Sequence, residues 1–502
     1  MIFTEFRFLF FFLTVFGIYW ILRKHNHRKF WLLACSYIFY GAWDWRFLSL
    51  MLVSTVIDYI VGLMLSRTTI EETNADKEVQ ESDRRKSSFD WENLISKPQS
   101  SRQRQGWLIL SLVGNLGILG FFKYYNFFTD SAANFLNFLG LPISFPLLKV
   151  ILPVGISFYT FQTLSYSLDI YRGKLKPTKN FWDFALFVSF FPQLVAGPIV
   201  RAAIFLPQLL TPKTFSQVDV RGCLMLFLVG YFKKACVSDN LSPLVDQYFA
   251  HPEVYTVATA WVGVVCFIIQ VYCDFSGYSD MAIACAGLLG YKLPLNFNFP
   301  YFASSITELW KNWHITMSSW FRDYLYVPLM RRREKKDRTS IFSYSNLIFT
   351  MLVTGLWHGA AWHFVIWGGL NGIALAVHKE WSNLLSPYKR LLPIRRIIGV
   401  PLTFYWFCAS GIFFRSEDFY SGLTIVKSFV LLNSPGTENL GLQTAWIFIP
   451  LVVLHWAAYK NWLVNWWRVI PNWSFATYYG LCVSAILPLV AVVHQPFIYF
   501  QF

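Results

Sequence analysis

Two histidines in this chain stand where histidines are expensive. His358 lies in Leu356-Trp357-His358-Gly359-Ala360-Ala361-Trp362-His363-Phe364, between the apolar runs Asn346 to Gly355 and Val365 to Val377. An ionisable ring at membrane depth is costly and marks a functional hypothesis. Imidazole can take and give a proton near neutral pH, so the chemistry within reach is general acid–base catalysis. The plainer alternative is a histidine bonded to a backbone carbonyl in a helix bundle. Gly355 and Gly359 argue for more, because they permit close backbone approach or a helix break and leave room beside the ring. His363 is five residues on, about 140° around a helix. The pair lacks the HExxH spacing that puts two ligands on one face, so no metal centre is expected from His314, His358 and His363.

His314 sits in the stretch Glu308 to Tyr324, where Trp310, Trp313, Met317 and Trp320 recur on one helical face. That spacing predicts an amphipathic interfacial helix, with His314, Arg322 and Asp323 as anchors and pairs. The other reading gives His314 a part in the chemistry. In Cys273-Asp274-Phe275-Ser276-Gly277-Tyr278-Ser279-Asp280, two carboxylates could serve a transporter's ion site, hold a helix end, or pair with Lys or Arg. Ser189 to Pro198 is apolar but broken by Pro192, Gln193 and Gly197-Pro198, which suits a re-entrant piece buried in protein. No nucleophile elbow, P-loop or Rossmann fingerprint occurs in a fitting context.

The elements that must hold these residues are set by composition. The 502 residues are 55% hydrophobic and 14% charged, against about 25% charged in soluble domains. Apolar segments recur from 6–22 to 473–493, several shorter than the roughly 20 residues of a perpendicular span, so about 10 to 13 spans plus re-entrant or tilted pieces are expected. The fold class is therefore an all-α polytopic membrane protein. The net charge of +15 falls largely in short loops such as Arg23 to Lys29, Arg331 to Arg338 and Lys389 to Arg396. This is the positive-inside pattern, with the N-terminus outside, and no nucleic-acid motif accompanies it. The run Phe8 to Leu22 reads as a retained first span, not a cleaved signal. Eight cysteines lie mostly in apolar runs without a CxxC pair and read as small buried hydrophobes. Residues 67–105 form the one long polar insertion, with eight basic and eight acidic residues, and read as a flexible cytoplasmic linker within a single domain, 1–502.

Read in order, several segments become recognisable: Pro153-Val154-Gly155-Ile156-Ser157-Phe158; Phe190-Phe191-Pro192-Gln193 to Gly197-Pro198; Asp274 to Asp280; Trp310 to Asp323 with Trp313-His314; Gly355-Leu356-Trp357-His358-Gly359; Phe413-Phe414-Arg415-Ser416; and Phe497 to Phe502. In that order they resemble the membrane-bound O-acyltransferase family, in its bacterial branch of alginate O-acetyltransferase and teichoic acid D-alanyl transfer proteins. The resemblance runs the length of the chain, and against it the insertion at 67–105 is longer than in typical members. It implies a ring of tilted transmembrane helices with re-entrant segments around a central tunnel, with two funnels meeting near the catalytic histidine. It places the family's essential histidine on His358 and its second on His314. It also implies a cytoplasmic acyl thioester donor, acetyl-coenzyme A or an acyl carrier protein, with no tightly bound cofactor and no cofactor-binding residues named.

The implied acceptor is an exported polysaccharide, reached across a bacterial inner membrane with a periplasmic or extracellular acetyltransferase as partner. Two other classes stay open on sequence: a polysaccharide or ion transporter using Asp274 and Asp280, and a non-catalytic scaffold of a polymer-modifying complex.

Overall fold

A computed structural model describes residues 3–66, 100–141, 143–148, 151–194, 197–334, 340–388, 390, 392–462 and 466–498. The bulk of the polar insertion (67–99), much of the basic loop after Arg331, Val195-Ala196, Lys389 and the terminal Tyr499 to Phe502 lie outside them. Among the described residues the chain is helical, and β pairing is limited to one isolated bridge, Tyr255 with Glu438.

Helices α1 (Phe6–Ile21), α2 (His25–Asp44) and α3 (Leu48–Leu65) open the chain. Helix α4 (Ser101–Leu119) begins inside what sequence assigned to the insertion. Ser100 accepts from the Gln103 backbone and the Gln103 side chain accepts from the Ser100 backbone, a capping box that starts a helix at once. Helix α5 (Ile156–Tyr171) is buried along nearly all its length. It packs with α3 and α4 around Asp58, whose carboxylate accepts from Ser111 Oγ at 2.5 Å, Asn115 Nδ2 at 2.6 Å and Ser167 Oγ at 2.6 Å. With lipid as solvent, apolar contact alone does not drive helices together, and such polar bonds hold them.

Helix α6 (Phe181–Ser189) stops at Phe190, and the short turn Phe191–Leu194 follows, fully buried. This is the broken, protein-enclosed piece the sequence suggests. Gly155, at the start of α5, has φ +73°, and a Cβ there would come within 2.7 Å of the Leu194 carbonyl. Only glycine permits both the left-handed turn and that approach. Helix α7 (Val220–Tyr231) packs against α8 (Val257–Leu288), which has 32 residues and is about 48 Å long. Then come α9 (Ile306–Asn312), α10 (Ile315–Phe321), α11 (Ser340–His358), α12 (Trp362–Leu384) and α13 (Leu392–Arg415).

Against the expected 10 to 13 spans, five helical stretches among the described residues are long and apolar enough to cross a membrane: His25–Leu65, Ser101–Phe138, Val257–Leu288, Leu392–Arg415 and Leu442–Tyr459. A shorter apolar helix, Phe6–Ile21 of 16 residues, stands beside them. The last of the five has none of its apolar window buried within the protein, as a lipid-facing helix should.

Candidate active site

The His358 region is built by a helical hairpin. Helix α11 ends on His358 and α12 begins four residues later, so His358 and His363 lie on different helices. The 140° relation read from sequence does not apply, because the chain breaks at Gly359. His363 Nδ1 bonds to the Phe413 carbonyl at 2.9 Å. Close packing of the hairpin rests on glycines: a Cβ at Gly355 would lie 2.2 Å from the Phe364 carbonyl oxygen, and one at Gly368 would lie 2.2 Å from the Met351 carbonyl oxygen. Small residues let membrane helices touch backbone to backbone.

His358 is 3% exposed. Its ring centroid lies 4.8 Å from that of Trp357, 5.1 Å from Trp367 and 5.2 Å from Phe414. The last turn of α11 leaves carbonyls that its own helix cannot satisfy. Tyr124 Oη donates to Leu356 O at 3.0 Å, and Lys123 Nζ donates to Trp357 O at 2.5 Å and to His358 O at 3.1 Å. Both residues come from Gly120–Tyr124, a π-helical turn at the end of α4. Such bulges interrupt a helix and are frequent at functional sites.

The Trp310 to Tyr324 stretch is not one interfacial helix. It is two seven-residue helices broken at Trp313-His314, and Trp310, Trp313, Met317 and Trp320 are all buried. His314 sits at the break with φ 40° and ψ 56°, a left-handed conformation uncommon for a side-chain-bearing residue. The break turns its ring inward, to full burial.

A polar network holds His314 there. Asn296 Oδ1 is 3.1 Å from His314 Nδ1 and accepts from Thr316 N at 3.3 Å and Thr316 Oγ1 at 2.8 Å. A backbone N–H can only donate, so the Asn296 atom is the oxygen and His314 Nδ1 carries the proton. The lone pair then lies on Nε2, which has no hydrogen-bond partner among the described residues. Asn296 Nδ2 donates to Ser279 Oγ at 3.2 Å, and Ile199 N donates to Thr316 Oγ1 at 3.0 Å.

The two histidines meet through Trp357. Its ring centroid is 6.1 Å from His314 and 4.8 Å from His358. Behind it, Phe161 of α5 stacks at 5.3 Å on Trp357 and at 3.9 Å on Trp320, with 3° between the latter planes. Phe275 packs edge-on against His314 at 4.6 Å.

The carboxylates of the Asp274 segment are paired. Lys234 bonds Asp274 Oδ1 at 2.5 Å and Asp239 Oδ1 at 2.8 Å, all three side chains nearly fully buried, and Lys233 bonds Asp280 at 2.7 Å. Asp274 Oδ2 also accepts from Ile498 N at 2.9 Å. Of the three readings open on sequence, pairing with lysine is the one realised. Arg322 and Asp323 pair with each other, as expected, and Arg201 joins Asp323 at 2.7 Å.

Sequence reasoning missed Lys123, Tyr124, Asn296, Thr316 and the Lys233-Lys234 pair. Lys234 carried a usable signal, since a buried lysine within an apolar run is as costly as a histidine there. Asn296 carried none, since its role depends on a loop meeting a helix break.

The membrane-bound O-acyltransferase family pattern matches residues 175–415. The probable alginate O-acetylase AlgI of Azotobacter vinelandii is 35% identical over 461 residues, which cover 90% of this chain and 84% of that protein. The chain belongs to the membrane-bound O-acyltransferase family. AlgI of Pseudomonas aeruginosa is 38% identical over 461 residues (90% and 81%). The peptidoglycan O-acetyltransferase of Helicobacter pylori is 35% identical over 471 residues (87% and 81%). A membrane-bound O-acyltransferase is a multi-pass membrane enzyme, and this membership sets aside the transporter and scaffold alternatives.

Proposed function

We propose that this O-acyltransferase moves an acetyl group from a cytoplasmic thioester to hydroxyls of an exported polysaccharide, or to an extracytoplasmic acetyltransferase that completes the transfer, with His358 as general base. The observation that carries the reading is the convergence of His358 and His314 on one buried indole, Trp357. The names of the relatives favour polymers of the alginate or peptidoglycan kind as acceptor.

A hydroxyl is a poor nucleophile at neutral pH. In the proposed step a neutral His358 accepts the hydroxyl proton as the acceptor oxygen bonds to the thioester carbonyl carbon. The tetrahedral intermediate expels the thiolate, which takes up the proton, and no enzyme nucleophile is consumed. His314, with Nδ1 held by Asn296 and Nε2 bearing the lone pair, is suited to accept a bond from the incoming hydroxyl and orient it. A thioester donor bearing phosphates is favoured by an open groove of about 830 Å³. Among the lining residues are Gln208, Lys213 and Lys292, with no acid. It shares Lys213 with a second groove reaching Arg23 and Arg28 of the loop that sequence places in the cytoplasm. Burial and the neighbouring Lys292 hold the Lys213 ammonium below the usual lysine range, and the charge of a bound anion would oppose both.

The test is His358→Ala in cells making the polymer. The expected outcome is a loss of about 10²–10⁴ in the rate of O-acetylation, with the protein still inserted and folded. Normal O-acetyl content on mass analysis of the surface polymer would overturn the reading.

A further inference from the structure

Lys123 differs from three other lysines held inside the protein. Lys29 pairs with Asp183 at 2.7 Å, Lys233 with Asp280, and Lys234 with Asp239 and Asp274. Lys123 has no acidic partner among the described residues, and its ammonium is spent on two carbonyls, those of Trp357 and His358. It lies within the membrane-length stretch Ser101–Phe138, where an unpaired ammonium is costly. The same ammonium sits near the Trp357 ring, 5.9 Å from its centroid.

A helix C-terminus carries roughly half a negative charge. That of α11 falls on the residue proposed as base, where the reaction would build an oxyanion. Uncompensated, the helix end would repel the charge that forms. A cation bonded to its last two carbonyls cancels that end and fixes the backbone of the ring's own residue. We propose that Lys123 is the positioning residue for His358, holding the last turn of α11 and neutralising its negative end beside the reacting groups. It acts through the carbonyls and not on substrate. The inference rests on the acyl-transfer reading above for its kinetic consequence, and on geometry alone for its structural one.

Two measurements test it. Inverted membrane vesicles carrying wild type, Lys123→Met, Lys123→Arg or His358→Ala are supplied with cytosol and labelled acetyl-coenzyme A, and label in alkali-labile ester is followed. Lys123→Met should lower the rate at saturating donor about 100-fold, as a small misplacement of a reacting group does, with half-saturation unchanged within about twofold. Lys123→Arg, keeping the charge and donors, should recover at least about tenfold of that loss. Hydrogen exchange on the purified proteins should show faster exchange at 355–360 in Lys123→Met and wild-type behaviour in Lys123→Arg. The proposal is overturned if folded Lys123→Met transfers at more than half the wild-type rate, if Lys123→Arg recovers nothing, or if exchange at 355–360 is unchanged. Full activity of His358→Ala, or no label with wild type, would instead sink the acyl-transfer reading, and the exchange result would still decide the role of Lys123.

Discussion

The bond from His314 Nδ1 to Asn296 Oδ1 fixes which ring nitrogen is left for chemistry, and so gives Asn296 a testable weight. Replacing Asn296 by Leu removes the acceptor while Thr316 loses its partner too. A ring freed to rotate should cost about 10- to 100-fold in acyl transfer, whereas Asn296→Asp, which still accepts from Nδ1, should retain most of it. Equal activity of the Leu variant in the vesicle assay would make the bond merely structural. His358 and His314 could be singled out from sequence because each is a polar ring in an apolar or aromatic stretch. Asn296 could not, since nothing in Pro294-Leu295-Asn296-Phe297 tells that its amide meets His314 from 18 positions along the chain. Lys123 directly follows the apolar segment 106–122, where a lysine reads as an ordinary helix-end anchor. In the structure the helical stretch continues to Phe138, which puts Lys123 inside it.

The helical hairpin of α11 and α12 places His358 by contact of backbones. Gly368 has no room for a side chain, since its Cβ would meet Met351 O at 2.2 Å. Gly369, the next residue, would meet only the end of the Leu352 side chain at 3.3 Å. Gly368→Leu should therefore prise the helices apart, cost at least about 1–3 kcal/mol and lower acyl transfer with it, whereas Gly369→Leu should be tolerated. Equal thermal unfolding of the two variants in detergent would refute this packing account. The same element shows where periodicity misleads. The Trp310 to Trp320 spacing is helical, and both flanking pieces are helices, yet one residue in a left-handed conformation at His314 splits the pattern. Residue spacing carries no signal for a break that tertiary bonds from Asn296 hold in place.

At the scale of the molecule, buried charge is arranged as a clamp between distant parts of the chain. Lys234 serves two acids, and its ammonium also donates to Gln495 O at 3.1 Å. Lys234→Met would leave Asp239 and Asp274 buried without their cation, at a cost of about 3–5 kcal/mol. The expected result is a sharply reduced folded yield in membranes, partly restored by adding Asp274→Asn. No recovery in the double variant would place the damage elsewhere. All-helical, membrane-embedded architecture was legible because composition and apolar run length are set by the solvent. The count of spans was less so, because an apolar segment looks the same whether it crosses, bends or stops. The packing that gathers the separate motifs was not legible at all: Phe414, Phe275 and Phe161 reach the site from three different helices.

The bond from Ile498 to Asp274 spans 224 positions. A ribosome adding about 5–20 residues per second needs roughly 10 to 45 s to get from one to the other. For that interval α8 has its aspartate but not the strand of backbone that completes it. The nascent enzyme thus waits in the membrane with the Lys234 clamp unfinished. A chain interrupted between Arg415 and Gln495 would hold both histidines but neither the Gln495 carbonyl nor the Ile498 amide that complete the clamp.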